Sequence, residues 1–260
     1  MDVERQRTLG ISSVELTLYK MVNKLERCKI EPVKTKGEEH SDMSTDHTVH
    51  IWRLPKTSDL TELQTQAKAT REVRLRSLKL DSEKFYSKYE DEVKQPLDFF
   101  VDRLKPAWVE HFVAAVVGDQ AMFDEQHAPR ADEYNKFEAI LVMINEHAKG
   151  EEGATLRQSG FNVAEGYLPT YSLAAVWVAP EYRGQRLGSE MIAKSLGWLK
   201  EDAIKRGWRR ARCQLGAKPT NGDAIRLYRR FDFEVCNNHN SELEFADEVN
   251  MVLLIELQDA

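Results

Sequence analysis

One junction in the second half of this 260-residue chain constrains its fold more than any other stretch. Residues 171–178 are an apolar run of strand length that stops at Pro180. Beyond a glycine-bearing turn, Leu187, Met191, Ile192, Leu196, Leu199 and Ala203 recur at helical spacing, and Gly207 sits where a residue just past a helix end belongs. A strand running through such a turn into a helix presents free backbone N–H groups at the positive end of the helix dipole. That is an anion site, suited to a pyrophosphate. Gly184 and Gly188 lack a Cβ, so backbone can approach phosphates closely there. Two familiar phosphate motifs do not fit: G-x-G-x-x-G is absent, and no G-K-[ST] follows the glycines.

The rest of the chain supplies strands and helices in alternation. Residues 48–54 alternate like a strand and end at Pro55. Asp59 with Glu62 three residues on opens a helix carrying Leu60, Leu63 and Ala67. A second helical stretch is expected over residues 82–101, and strands over 108–117 and 137–144, separated by a polar turn region at 118–135. Residues 146–169 hold four glycines and are read as a long loop or insertion. Residues 210–217 alternate, a short helix follows over 222–230, and 250–256 form a last strand. Strands interleaved with helices give an α/β sandwich around a mixed sheet. Residues 1–46 are read as an extension, with a short amphipathic helix at 13–28 and a polar linker at 34–47; the domain proper is expected over 47–257.

Composition narrows the function classes. The formal net charge of −6 argues against a duplex nucleic-acid binder, which needs a net-basic face. No run of 18 apolar residues exists, so no membrane span is expected. The first residues, Met1-Asp2-Val3-Glu4, carry acids where a leader is basic and then apolar. The three cysteines are scattered, and the seven histidines show no ligand spacing, so neither a disulfide framework nor a metal is expected. The expected setting is the cytoplasm, or the nucleus, and the expected assembly a monomer or homodimer.

Arg183-Gly184-Gln185-Arg186-Leu187-Gly188 resembles the acyl-CoA signature [QR]-x-x-G-x-[GA] of the GCN5-related N-acetyltransferase (GNAT) family, with Arg186 where that family most often has Gly. An arginine there favours a right-handed backbone, and its charge offers a phosphate contact in return. A second stretch, from Asn221 through Ala224, Leu227 and Tyr228 to Phe233, looks like the family's N-x-x-A-x-x-L-Y-x-x-x-G-F, with Asp232 in place of Gly. A weaker echo, residues 75–85, looks like the first-helix region of GNAT enzymes acting on small amines.

The resemblance implies a mostly antiparallel GNAT-like sheet, acetyl-CoA as co-substrate and direct transfer to a primary amine. It assigns the backbone of Val176, Trp177 and Val178 to the pantetheine amides. The amides of Gly184, Gln185, Arg186, Leu187, Gly188 and Ser189 would hold the pyrophosphate, with Arg183 beside them. Asn221 would hydrogen-bond the pantetheine arm, and Tyr228 would protonate the leaving sulfur. A small-molecule amine is the leading acceptor. A protein lysine or N-terminus is the alternative within enzymes, and a non-catalytic acyl-CoA-binding regulator the alternative outside them.

The chemistry sets one further demand. A phenol near ~10 and a thiol near ~8.5 differ by roughly 2 kcal/mol in proton affinity, so Tyr228 can act as acid or as stabilising donor. A lysine-type amine near ~10.4 costs roughly 4.6 kcal/mol to deprotonate at neutral pH. Some family members place a glutamate base on the strand before Asn221, but residues 210–220 contain no acid. Glu138, Glu146 and Glu165 are the candidates, beside a water chain. Cys213 reads as core, Tyr228 alone would read as core, and Asn221 fits a helix cap as well as a ligand contact. Arg209, Arg210, Arg212, Arg229 and Arg230 are either solvated surface or an attraction for the CoA 3′-phosphate.

Overall fold

Capping, chain breakers and apolar periodicity cut this chain into seven strands and five helices within the described residues. A computed structural model describes residues 48–117, 129, 134, 137–148, 168–236 and 248–257. The expected extension, its helix and linker, and most of the 118–135 and 146–169 segments lie outside these residues. Along the chain come β1 (Thr48–Arg53), α1 (Leu60–Leu80), the single turn α2 (Tyr89–Glu92), α3 (Leu97–Leu104), β2 (Val109–Val117) and β3 (Phe137–Asn145). Then follow β4 (Thr170–Val178), α4 (Leu187–Lys205), β5 (Arg210–Ala217), α5 (Gly222–Arg229), β6 (Glu234–Val235) and β7 (Val249–Glu256).

Local chemistry accounts for the ends. The Asp59 side chain accepts from the Glu62 N–H at 2.9 Å and starts α1, as the sequence pattern predicts. Gly207, at φ +81°, ends α4, and the Trp208 N–H bonds back to the Ala203 carbonyl at 3.0 Å. The helix expected over 82–101 is not continuous. It breaks into a 3-10 turn at Ser82–Lys84, then α2, then α3. Pro96 explains the second break, because it has no N–H to donate and holds the residue before it extended.

The strands form one mixed sheet in the order β1-β2-β3-β4-β5-β7-β6. Every neighbouring pair is antiparallel except β4 and β5. The fold class is therefore the one expected: α/β, with a mostly antiparallel sheet flanked by helices. On one face, Leu141, Met143, Tyr171, Leu173, Cys213, Leu215 and Met251 pack against α4 and α5. On the other, Val113, Phe137, Ile140 and Trp177 pack against α1 and α3. Among the described residues no helix is long and apolar enough to cross a membrane.

Strand β4 does not keep strict alternation, and the reason is a bulge. Ile140 lies opposite Trp177 and Val142 opposite Ala174, so Leu141 alone faces the pair Ala175 and Val176. Ala175 sits in the left-handed region at φ +51°. The extra residue inverts the strand's facing: Leu173 points to the α4 side, whereas Trp177, four residues later, points to α1. An L-residue in this conformation costs about 1 kcal/mol or more relative to glycine. Ala175→Gly is therefore expected to raise the thermal midpoint by about 2–4 °C in a circular-dichroism melt. A lower midpoint would refute the assignment of strain to this residue.

Candidate functional site

Among the described residues the sheet opens at its only parallel pair. The ladder between β4 and β5 consists of Thr170↔Arg212, Tyr171↔Cys213 and Ser172↔Gln214, after which β4 continues to Val178 and β5 to Ala217 without pairing to each other. The paired end is fastened by side chains: Arg212 donates to the Thr170 hydroxyl at 3.0 Å and Gln214 to the Ser172 hydroxyl at 3.2 Å. Beyond it the bulge turns β4 away. The Ala179 N–H donates to the Glu138 carbonyl on β3 at 2.8 Å. Strand alternation then directs the backbone polar groups of Val178, and of Val176 before it, to the opened edge, and those of Trp177 toward β3. Two of the three strand residues expected to meet a ligand backbone thus face the opening.

At the mouth of that opening lies the turn into α4. Gly184 is at φ +78° and Arg186 at φ +65°, both left-handed. The expectation of a right-handed Arg186 is corrected: the residue takes the conformation glycine would take there, as the helix N-cap, and its side chain makes no cap bond. The first helical bond is donated by the Glu190 N–H, to the Arg186 carbonyl at 3.0 Å. Among the described residues, none of the six backbone N–H groups from Gly184 to Ser189 has an acceptor. Alternating backbone handedness and unpaired donors make a concave anion cradle at the positive end of a 19-residue helix. Leu187 is 3% exposed, so only its backbone is available. The Gln185 side chain is spent on the Glu181 carbonyl at 3.0 Å. A Cβ on Gly188 would meet Leu227 at 3.4 Å and Val178 at 3.7 Å, so a methyl fits but a longer side chain must push into the cradle or the packing.

Arg183 is held from behind. Its Nε donates to the Val178 carbonyl at 2.9 Å, and its guanidinium pairs with Asp81. Asp81, 4% exposed at the C-terminal end of α1, also accepts from Trp177 Nε1 at 2.7 Å and from Lys84 Nζ at 2.8 Å. Burial alone would raise the Asp81 pKa, but the bonds from Arg183, Lys84 and Trp177 outweigh it and hold the carboxyl at about 2. Arg76 stacks over the Trp177 ring at 5.2 Å and pairs with Glu138. Sequence reading missed Asp81: it stands in the 75–85 stretch, but no local pattern announces a partner a hundred residues away.

Beyond β5, Asn221 caps α5, its Oδ1 accepting from the Ala224 N–H at 3.4 Å. Its amide Nδ2 has no acceptor among the described residues. Tyr228 is 6% exposed, packed edge-on to Phe233 at 6.0 Å between ring centres, and its hydroxyl has no hydrogen-bond partner among the described residues. Burial pushes the phenol pKa above its ordinary range, so the pair of ordinary values taken from the sequence understates how firmly this hydroxyl keeps its proton. Asp232 adopts φ +61°, the conformation of the glycine it replaces.

Of the candidate bases, Glu138 is engaged by Arg76, and Glu165 lies outside the described residues. Glu146 is half-buried just beyond the end of β3 and has a partner of its own. Cys213 is fully buried and its thiol pKa is pushed up, so it is no nucleophile. Arg210 pairs with Glu256 at 2.8 Å, and Arg229 and Arg230 are exposed. Among the described residues no three His, Cys, Asp or Glu side chains converge as a metal site requires.

Residues 153–233 match the sequence model of the acetyltransferase (GNAT) family. No curated protein matches the sequence. Similar solved structures include a GNAT-family acetyltransferase from Staphylococcus aureus Mu50, 11% identical over 81% of this chain and 100% of that one, with a TM-score of 0.46. A GNAT-family acetyltransferase from Streptococcus pneumoniae is 15% identical over 80% of this chain and 100% of its own, with a TM-score of 0.47. Arabidopsis thaliana NAA60 in complex with acetyl-CoA is 14% identical over 80% and 99%, with a TM-score of 0.45.

The Asp81 contacts give a testable pH signature. A carboxyl depressed from 3.8 to about 2 contributes stability that is present above its unfolded pKa and lost as pH falls through the folded one. The depression corresponds to roughly 2 kcal/mol. Asp81→Asn is expected to be less stable than wild type by about that amount at pH 7 in urea melts, the gap narrowing as pH falls from 5 toward 2. A gap independent of pH would refute the ionic origin of the contribution.

Proposed function

We propose, from the match of residues 153–233 to the acetyltransferase (GNAT) family, that this chain transfers acetyl from acetyl-CoA directly to a primary amine of a small molecule. The observation that carries this reading is the run of unpaired N–H donors from Gly184 to Ser189 beside an opened strand edge. Diphosphate needs several donors and a positive field, and this turn offers both. An extended amide-bearing arm needs a free strand edge, and the backbone of Val176 with the N–H of Val178 offers one, the Val178 carbonyl being taken by Arg183. Asn221 Nδ2 adds a donor from the β5 side of the opening. Arg183 acts in this scheme through its bonds to Asp81 and Val178, which fix the turn.

When bound, acetyl-CoA supplies an activated thioester. Tyr228 serves as donor to the departing sulfur. With its pKa raised by burial, the phenol stays protonated across the working pH range. The preference for a small acceptor rests on the segment that follows α1. Its start, Asp81, is tied to Arg183 in the turn beyond β4, and Tyr86 lies under Lys218 just past β5, 5.2 Å from ring centre to Nζ. A segment bound to both lips narrows the approach to the opening.

Calorimetric titration with acetyl-CoA and with CoA, beside a thiol-release assay with a panel of primary amines, tests the reading. Micromolar binding and amine-dependent thiol release are expected; no binding of either ligand would overturn it. Gly188→Glu is expected to abolish binding, because it sets bulk and negative charge against the cradle. Retained affinity would remove the turn from the site. Tyr228→Phe is expected to lower turnover about ten-fold or more with CoA affinity within a few-fold. Unchanged turnover would remove Tyr228 from the chemistry.

A further inference from the structure

Strand β5 carries no acid, yet an ammonium acceptor must lose a proton before its nitrogen can attack. The fold brings a carboxylate to β5 from another strand. Glu248 immediately precedes β7, and Asn250 of β7 lies opposite Gly216 of β5. Met251 and Ile255 line the cluster against α4 and α5, together with Cys213 and Leu215. By alternation, Glu248 and Asn250 share the opposite face with Arg212, Gln214 and Gly216. The Glu248 side chain leans diagonally along that face onto the glycine. A Cβ built on Gly216 would fall 1.8 Å from Glu248 Oε1 and 2.1 Å from Cδ. The carboxylate thus occupies the space that a side chain at 216 would fill.

Its position and state suit a proton acceptor. Gly216 is two residues beyond Gln214, the last β5 residue paired with β4, so the carboxylate stands at the lip of the opening. Among the described residues it has no ion pair and no hydrogen bond; burial alone acts on it, raising its pKa above the ordinary glutamate value. The charged groups around it are otherwise engaged. Arg210 is bound to Glu256, Arg212 donates to Thr170, and Lys218 rests on Tyr86. Tyr228 belongs to the cluster on the other face of the sheet.

We propose that Glu248 is the general base of the transfer, meeting the acceptor amine on the sheet face opposite Tyr228. This rests on the acetyltransferase reading above. The acceptor ammonium gives one proton to the Glu248 carboxylate, which releases it to solvent. The freed nitrogen lone pair forms the C–N bond at the thioester carbonyl. Collapse of the adduct breaks the C–S bond, and its electron pair leaves on sulfur. The second nitrogen proton follows the first through Glu248, while Tyr228 protonates the sulfur and recovers its proton from solvent. The sum is one amide, one thiol and one released proton.

The test compares wild type, Glu248→Gln and Gly216→Ala in thiol release from acetyl-CoA, with spermidine, tyramine and a lysine peptide as basic amines and hydroxylamine as a weakly basic one. Glu248→Gln is expected to lower kcat/KM for a basic amine about 100-fold, to erase the limb on which wild-type rate rises with pH, and to spare hydroxylamine. Calorimetric affinity for acetyl-CoA should stay within about two-fold. Gly216→Ala, which displaces only the end of a flexible side chain, should lower the same kcat/KM about ten-fold with an unchanged thermal midpoint. Wild-type rates and pH profile in either variant would overturn this proposal and leave the transferase reading standing. Absence of thiol release by wild type with every amine would overturn both.

Discussion

Asp81 joins three segments far apart in the chain: its own helix end, the bulged strand through Trp177, and the turn into α4 through Arg183. A carboxylate buried this deeply without partners would be strongly unfavourable, so each of these bonds is required by the others. Lys84 adds a second cation from the following turn. The consequence is positional. The guanidinium that lies against Asp81 also grips the Val178 carbonyl, so the end of β4 and the start of the anion cradle are fixed to the same point.

Two backbone distortions serve that arrangement. Ala175 in the left-handed region reverses the facing of β4 and delivers the Trp177 indole to Asp81. Arg186 in the same region turns the chain into α4 with its first N–H groups unpaired among the described residues. Each conformation is unfavourable for an L-residue and persists only because the surroundings overdetermine it. The packing of Leu187 on one side and the Asp81 contacts on the other are those surroundings here.

The architecture was legible in the sequence wherever periodicity and capping carried it: six of the seven strands, the Asp59 start of α1, and Gly207 at the end of α4. Pro96 could have warned that residues 82–101 would not form one helix. Two-residue β6 is too short to leave a pattern. The site was legible only in part. The turn and Asn221 stand out because their spacing is local, whereas Asp81 and Glu248 act across 102 and 32 residues of chain, on Arg183 and Gly216, and only the folded register brings them there. The conformation of Arg186 was misjudged because side-chain preference was weighed without the tertiary contacts that override it.

The three-pair ladder between β4 and β5 has a consequence for cohesion. Among the described residues it is the only main-chain ladder joining an antiparallel half, β1 to β4, to the other half, β5 to β7. Any molecule that hydrogen-bonds both lips of the opening becomes a stitch between the halves. Its binding free energy then adds directly to the resistance of the sheet to separation, in proportion to the logarithm of its concentration over its dissociation constant. In such a protein, the supply of ligand in the surroundings sets the balance between joined and parted halves.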